Sequence, residues 1–218
     1  MEAVIFDLDN TLYDISQYNY GAFRDISQYI SSKYTLSDDM LYRKLVEIWH
    51  NRTSLYPKLF DEFLGELNLI NELEEVIKIF NAYNGDLQTY PDAIPTLKQL
   101  KKFKYKLGLI TDGNPQRQKR KIKLLHLNQY FDVEIFTSLL QHPKPSEIPF
   151  FRAVSELDVR PENACYIGDN PVIDFEGAKK AGLITIRLRK GEFLNIASQN
   201  YVEYEINQIA ELIGIFNG

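Results

Sequence analysis

Five short apolar runs punctuate the chain: Ala3–Phe6, Lys106–Ile110, Val133–Phe136, Ala164–Ile167 and Ile184–Leu188. Their length and β-branched content predict strands. From the second run onward they alternate with helical patterns over Asp92–Phe103, Pro115–Leu125, Glu147–Leu157 and Asp174–Ala181. This alternation predicts βαβ units: an α/β, Rossmann-like core with a parallel sheet and helices on both faces. Such sheets place ligands outside the carboxyl ends of their strands.

Residues 14–88 break the rhythm. Apolar positions recur there at helical spacing, as Phe23, Ile26 and Ile30, then Leu41, Leu45, Ile48 and Trp49. Leu59, Phe60, Phe63, Leu64 and Leu67 make a third face, and Leu73, Val76, Ile77 and Phe80 a fourth. An insertion of this length directly after the first strand predicts a helical subdomain rather than a loop. The expected organisation is a core of residues 1–13 and 89–218 and a helical cap of residues 14–88, with Thr89-Tyr90-Pro91 as the return linker. The insertion carries 7 Lys/Arg against 12 Asp/Glu, so it holds the whole net charge of −5 and leaves the remainder near neutral.

Composition narrows the class. With 218 residues, 44% hydrophobic and 25% charged, the chain can bury a proper core as a soluble globular protein. Its acidic balance gives no reason to expect nucleic acid or an acidic membrane as partner, and its apolar runs are far shorter than a membrane span. Met1-Glu2 leads straight into a strand, so no signal peptide is expected. Cys165 is the only cysteine, which excludes an internal disulfide and favours a reducing, cytoplasmic location. Either a monomer or a homodimer is compatible with these features.

The candidate chemistry lies at the ends of the predicted strands. Asp7-Leu8-Asp9-Asn10-Thr11 follows the first, and carboxylates this close raise each other's pKa unless a cation neutralises them. Leu109-Ile110-Thr111-Asp112-Gly113-Asn114 ends a strand in a hydroxyl and a glycine turn. Pro143-Lys144-Pro145 fixes a lysine before a helix, and Gly168-Asp169-Asn170-Pro171-Val172-Ile173-Asp174 brings two more carboxylates. In a parallel sheet all four sets converge on one edge. They supply what phosphoryl transfer needs: carboxylates for Mg2+, a carboxylate nucleophile, a proton carrier, and a hydroxyl, amides and a lysine for the phosphate oxygens.

In order and wording these motifs resemble those of the haloacid dehalogenase (HAD) superfamily of phosphohydrolases with a helical, C1-type cap, from Ala3 to about Leu188. The resemblance implies Asp7 as nucleophile and Mg2+ ligand, and Asp9 as general acid/base whose backbone carbonyl also faces the metal. It implies Thr111 and Lys144 as holders of the phosphoryl group, with backbone amides of Asp112 and Gly113 beside them. Asp169 would bind Mg2+, with Asp174 supporting it directly or through water. Dehalogenase members lack the second carboxylate of the first motif, so Asp9 favours phosphate chemistry. The implied function is a Mg2+-dependent phosphatase of a small phosphate monoester, such as a sugar phosphate or nucleoside monophosphate, acting through an aspartyl phosphate. The alternatives are a phosphomutase of the β-phosphoglucomutase kind and a non-catalytic binding module on the same core.

Other patterns carry less. A calcium loop fails at Leu12 and Tyr18, and the glycine spacing of Gly108 and Gly113 is followed by Asn114-Pro115 rather than the Lys-Ser/Thr of a P-loop. His50, His126 and His142 are too scattered for a zinc site. The basic clusters around Lys98–Lys106 and Arg117–Lys123, Lys121 among them, are read as solvated helix faces. Cys165 is read as core, and most cap aromatics as packing residues.

Overall fold

The computed structural model describes residues 1–217. The chain divides into two compact units, Met1–Ile15 with the segment from Leu87 onward, and Ser16–Asp86. In the first unit, β1 (Ala3–Phe6), β2 (Lys106–Thr111), β3 (Val133–Phe136), β4 (Ala164–Gly168), β5 (Ile184–Leu188) and β6 (Tyr204–Ile206) form one sheet in the order β3-β2-β1-β4-β5-β6. Every neighbouring pair is parallel. The sequence pattern predicts the first five of these strands and the parallel sheet. The sixth is a three-residue edge strand with one buried side chain, too short to register as a period.

β1 is central, and all four of its residues are fully buried. Strands covered on both faces read as continuous apolar runs, which is why Ala3-Val4-Ile5-Phe6 shows no alternation. On one face, Phe150, Val154 and Phe175 pack with Ile5, Ile110 and Tyr166. The first two belong to α8 (Ile148–Glu156) and the third to α9 (Phe175–Lys180). The Phe150 and Tyr166 rings meet edge to face at 4.9 Å. Cys165 is buried in β4, as the sequence predicts.

The second unit holds α1 (Ser16–Lys33), α2 (Asp38–Arg52), α3 (Leu59–Glu66) and α4 (Leu73–Ala82). α2 begins at Ser37, whose hydroxyl accepts from the Met40 amide, and it carries Asp38 and Asp39 in its first turn, where the helix dipole favours them. Phe23, Trp49, Phe60 and Phe80 form an aromatic cluster that joins all four helices. Among the described residues no helix is long and apolar enough to cross a membrane.

One buried carboxylate ties this unit together. Glu72 accepts from Tyr29 at 2.7 Å, Tyr34 at 2.6 Å, Lys33 at 2.8 Å and Asn71 at 3.0 Å. The Lys33 ammonium and the two phenols hold its pKa at about 2, below the ordinary 4.5. Its stabilising effect is therefore complete above pH 4.5 and lost as the pH falls towards about 2. Glu72→Gln should lower the melting temperature by several degrees at neutral pH and flatten the acid limb of the stability curve. Thermal melts of both proteins from neutral to acid pH check this, and an unchanged acid limb would exclude Glu72 as its source.

Candidate active site

The sheet register brings the motif ends together. Phe6 pairs with Leu109 on one side and Ile167 on the other, so Asp7, Thr111 and Asp169 leave three adjacent strands at the same edge. With β1 between β2 and β4, this is the point where the strand order reverses. Asp7, Thr111, Lys144, Asp169 and Asp174 are all buried there.

Two separate ion-pair clusters occupy this edge. In the first, Lys144 Nζ donates to Asp7 Oδ1 at 2.7 Å, to Asp174 Oδ1 at 2.6 Å and to the Tyr166 hydroxyl at 3.1 Å. The Tyr166 hydroxyl donates in turn to Asp174 Oδ1 at 3.1 Å. Asp174 Oδ2 accepts from the Asn170 amide at 2.9 Å. Gly168 permits this approach, since a Cβ there would stand 2.4 Å from Asp174 Oδ2. Asp7 Oδ2 accepts from the Thr11 hydroxyl at 3.4 Å.

In the second cluster, Lys121 Nζ lies 2.8 Å from Asp9 Oδ1 and 3.0 Å from Oδ2. The Tyr13 hydroxyl donates to Oδ1 at 2.6 Å, and Gln118 Nε2 donates to Oδ2 at 2.9 Å. Gln118 Nε2 also lies 2.6 Å from Thr111 Oγ1. Gln118 and Lys121 sit on α6 (Pro115–Leu124), which starts at Asn114, whose side chain accepts from the Arg117 amide.

The two carboxylates of the first motif are therefore shifted in opposite directions. Burial, offset by Lys144 and reinforced by Asp174 and Asp9, pushes Asp7 up to about 7. Burial also acts on Asp9, but Lys121, Tyr13 and Gln118 outweigh it and hold Asp9 below its usual value. Burial brings Lys121 down to about 8 against the pull of Asp9. Asp169 is raised well above the carboxylate range by burial and by Asp174 and Asp7.

The remaining predicted residues line the same edge. The Asp112 carboxylate accepts from the Thr137 hydroxyl and, at 3.3 Å, from the Lys144 amide. Gly113 has φ +105°, a conformation that favours glycine, and its carbonyl accepts from Ser138 at 2.8 Å. Asp112 thus helps to seat the backbone that carries Lys144.

The sequence profile of the family described as haloacid dehalogenase-like hydrolase matches residues 4–188. The chain belongs to this family. A glyceraldehyde 3-phosphate phosphatase of Methanopyrus kandleri is 33% identical, over 99% of this chain and 97% of its own length. The pyrophosphatase PpaX of Bacillus mycoides is 26% identical, over 100% and 99%. The crystal structure of a HAD phosphatase from Thermococcus onnurineus superposes with a TM-score of 0.72 at 30% identity, covering 100% of this chain and 99% of that one.

The HAD family implies Mg2+, and the donor set here fits a divalent cation only in part. Asp7 and Asp174 share one buried lysine, and Asp169 Oδ2 is buried without a hydrogen-bond partner. A hard cation with oxygen ligands would satisfy that atom and favour the ionised forms of Asp7 and Asp169. Yet among the described residues no three or more His, Cys, Asp or Glu side chains are grouped to hold a metal. The Lys144 ammonium bridges Asp7 and Asp174, and the Asp9 carboxylate pairs with Lys121. Three of the aspartates expected at the metal thus fall in two ion-pair clusters, Asp7 and Asp174 with Lys144 and Asp9 with Lys121.

The structure also corrects the reading of Lys121 as a solvated residue: it is 2% exposed. Gln118, Tyr13 and Tyr166 likewise join the site without having been singled out from the sequence.

Proposed function

We propose that this HAD-family phosphatase hydrolyses a small sugar phosphate through an aspartyl phosphate on Asp7, with Mg2+ held by Asp7, Asp169 and Asp174 and the Asp9 backbone carbonyl. The observation that carries the reading is the division of the first motif between two lysines, Lys144 on Asp7 and Lys121 on Asp9. One carboxylate is thereby free to become a covalent nucleophile while its neighbour, two residues away, handles protons.

The residues act in sequence. Asp7 attacks phosphorus, forming the Asp7–phosphorus bond as the ester oxygen departs. Asp9 gives that oxygen its proton, then takes one from the water that cleaves the aspartyl phosphate. Lys144, the Thr111 hydroxyl and the Asp112 and Gly113 amides hold the phosphoryl oxygens. Mg2+, when bound, neutralises charge on the phosphoryl oxygens and on Asp7.

Three relatives at 30–33% identity are glyceraldehyde 3-phosphate phosphatases. They support a three-carbon sugar phosphate as the substrate class. A panel of phosphate esters assayed with Mg2+ should give the highest kcat/KM on triose phosphates, ahead of nucleoside monophosphates and pyrophosphate. Preferred cleavage of pyrophosphate would displace the sugar-phosphate reading. Return of the phosphoryl group to another carbon of the product would indicate a mutase, and inactivity on the whole panel a binding module.

A further inference from the structure

Removing a lysine from water costs several kcal/mol unless its charge is matched. Lys121 is nevertheless almost wholly buried, and its match is Asp9. The grip is geometrically specific. The ammonium spans both carboxylate oxygens at 2.8 and 3.0 Å, the Tyr13 hydroxyl fixes Oδ1 from one side, and Gln118 fixes Oδ2 from the other. Rotation of the carboxylate breaks at least one of these contacts. One edge of Asp9 stays open, with its side chain 23% exposed. Gln118 also reaches Thr111 Oγ1 at 2.6 Å, so one amide group touches both the carboxylate and the hydroxyl of the second motif.

We propose that Lys121 and Gln118 are positioning residues: together they fix the carboxylate of Asp9 and tie it to the Thr111 hydroxyl, keeping the proton carrier at a set distance from the phosphoryl site. The inference rests on the acid/base role assigned to Asp9 above. Neither side chain is asked to touch substrate. Their effect passes through Asp9, where a misplacement of about 1 Å costs on the order of 100-fold in rate.

A purely structural lysine and a positioning lysine differ in what they do to leaving groups. kcat/KM covers the steps up to release of the alcohol. Glycerol phosphate has a poor leaving alcohol that needs a proton, whereas dinitrophenyl phosphate releases a stable phenolate that needs none. Asp9→Asn should lose roughly 100- to 10,000-fold on the first ester and little on the second. Lys121→Met should lose about 10- to 100-fold on glycerol phosphate and little on the dinitrophenyl ester. Gln118→Met should show the same selectivity at smaller amplitude. In the Asp9→Asn background, Lys121→Met should add no further loss beyond about two-fold.

Equal losses on both esters, or losses that multiply in the double variant, would overturn the proposal. If Lys121→Met does not fold, Gln118→Met leaves every charge in place and its comparison decides. If Asp9→Asn itself affects both esters equally, the acid/base role of Asp9 falls. If Asp9→Asn discriminates and the α6 variants do not, only the positioning role falls.

Discussion

Asp7→Asn should reduce turnover of a generic aryl phosphate in Mg2+ by about 10,000-fold or more, with the fold intact. The size follows from its place in the chemistry: an amide at this position cannot form the covalent phosphoryl bond, and the nearby Asp9 is held by Lys121. Stability should not fall alongside activity. Asp7 is buried and its carboxyl is already pushed up to about 7, so the substitution removes an unfavourable charge as well as a contact with Lys144. Turnover measured beside a thermal melt separates the two effects. Retention of even about one-hundredth of the rate, equal to roughly 2.7 kcal/mol of barrier, would remove Asp7 from the role of nucleophile.

The second large effect concerns Asp169. Its pKa is raised well above the carboxylate range by burial, with Asp174 and Asp7 adding like charge, and its Oδ2 has no hydrogen-bond partner. A group raised in this way destabilises the fold above its ordinary pKa, increasingly so as the pH climbs through the shifted value. Asp169→Asn should therefore melt higher than the parent in chelator at neutral pH, by about 2–6 °C for a chain of this size. Adding Mg2+ should stabilise the parent strongly and the variant little, because a ligand that binds only the native state stabilises it by mass action. Activity in Mg2+ should fall by at least about 100-fold. An Mg2+-induced shift of equal size in both proteins would exclude Asp169 as a ligand.

What the sequence reveals of this molecule depends on how each feature is encoded. β1 and β4 are buried throughout, as is β2 beyond Lys106, so they stand out as short apolar runs, and Asp7, Thr111 and Asp169 are legible because they sit directly at those strand ends. Lys121 is hidden by its surroundings. α6 reads Pro-Gln-Arg-Gln-Lys-Arg-Lys-Ile-Lys-Leu, which suggests a solvated cationic helix. The clue is nevertheless present. Ile122 and Leu125 fix the buried stripe, and helical spacing places Gln118 and Lys121 on it. Two polar residues on such a stripe require partners, and Asp9 and Thr111 supply them. Tyr166 is obscured in the opposite way, since an aromatic in a buried strand passes as core until its hydroxyl is seen between Lys144 and Asp174. The pairing of Lys144 with Asp7 and Asp174, and of Lys121 with Asp9, is not legible, because a sequence does not show which aspartate a lysine will choose.

The central strand that leads into Asp7 pairs only with strands far along the chain. Ala3 pairs with Lys106 on one side and Ala164 on the other, so β1 has no partner close to it in sequence. Closing such distant pairings costs chain entropy before any contact repays it. Asp7 accordingly meets Lys144 only in a finished sheet, and a partly folded chain, however compact, carries the two halves of the site apart. Catalysis thus doubles as a stringent assay of complete folding.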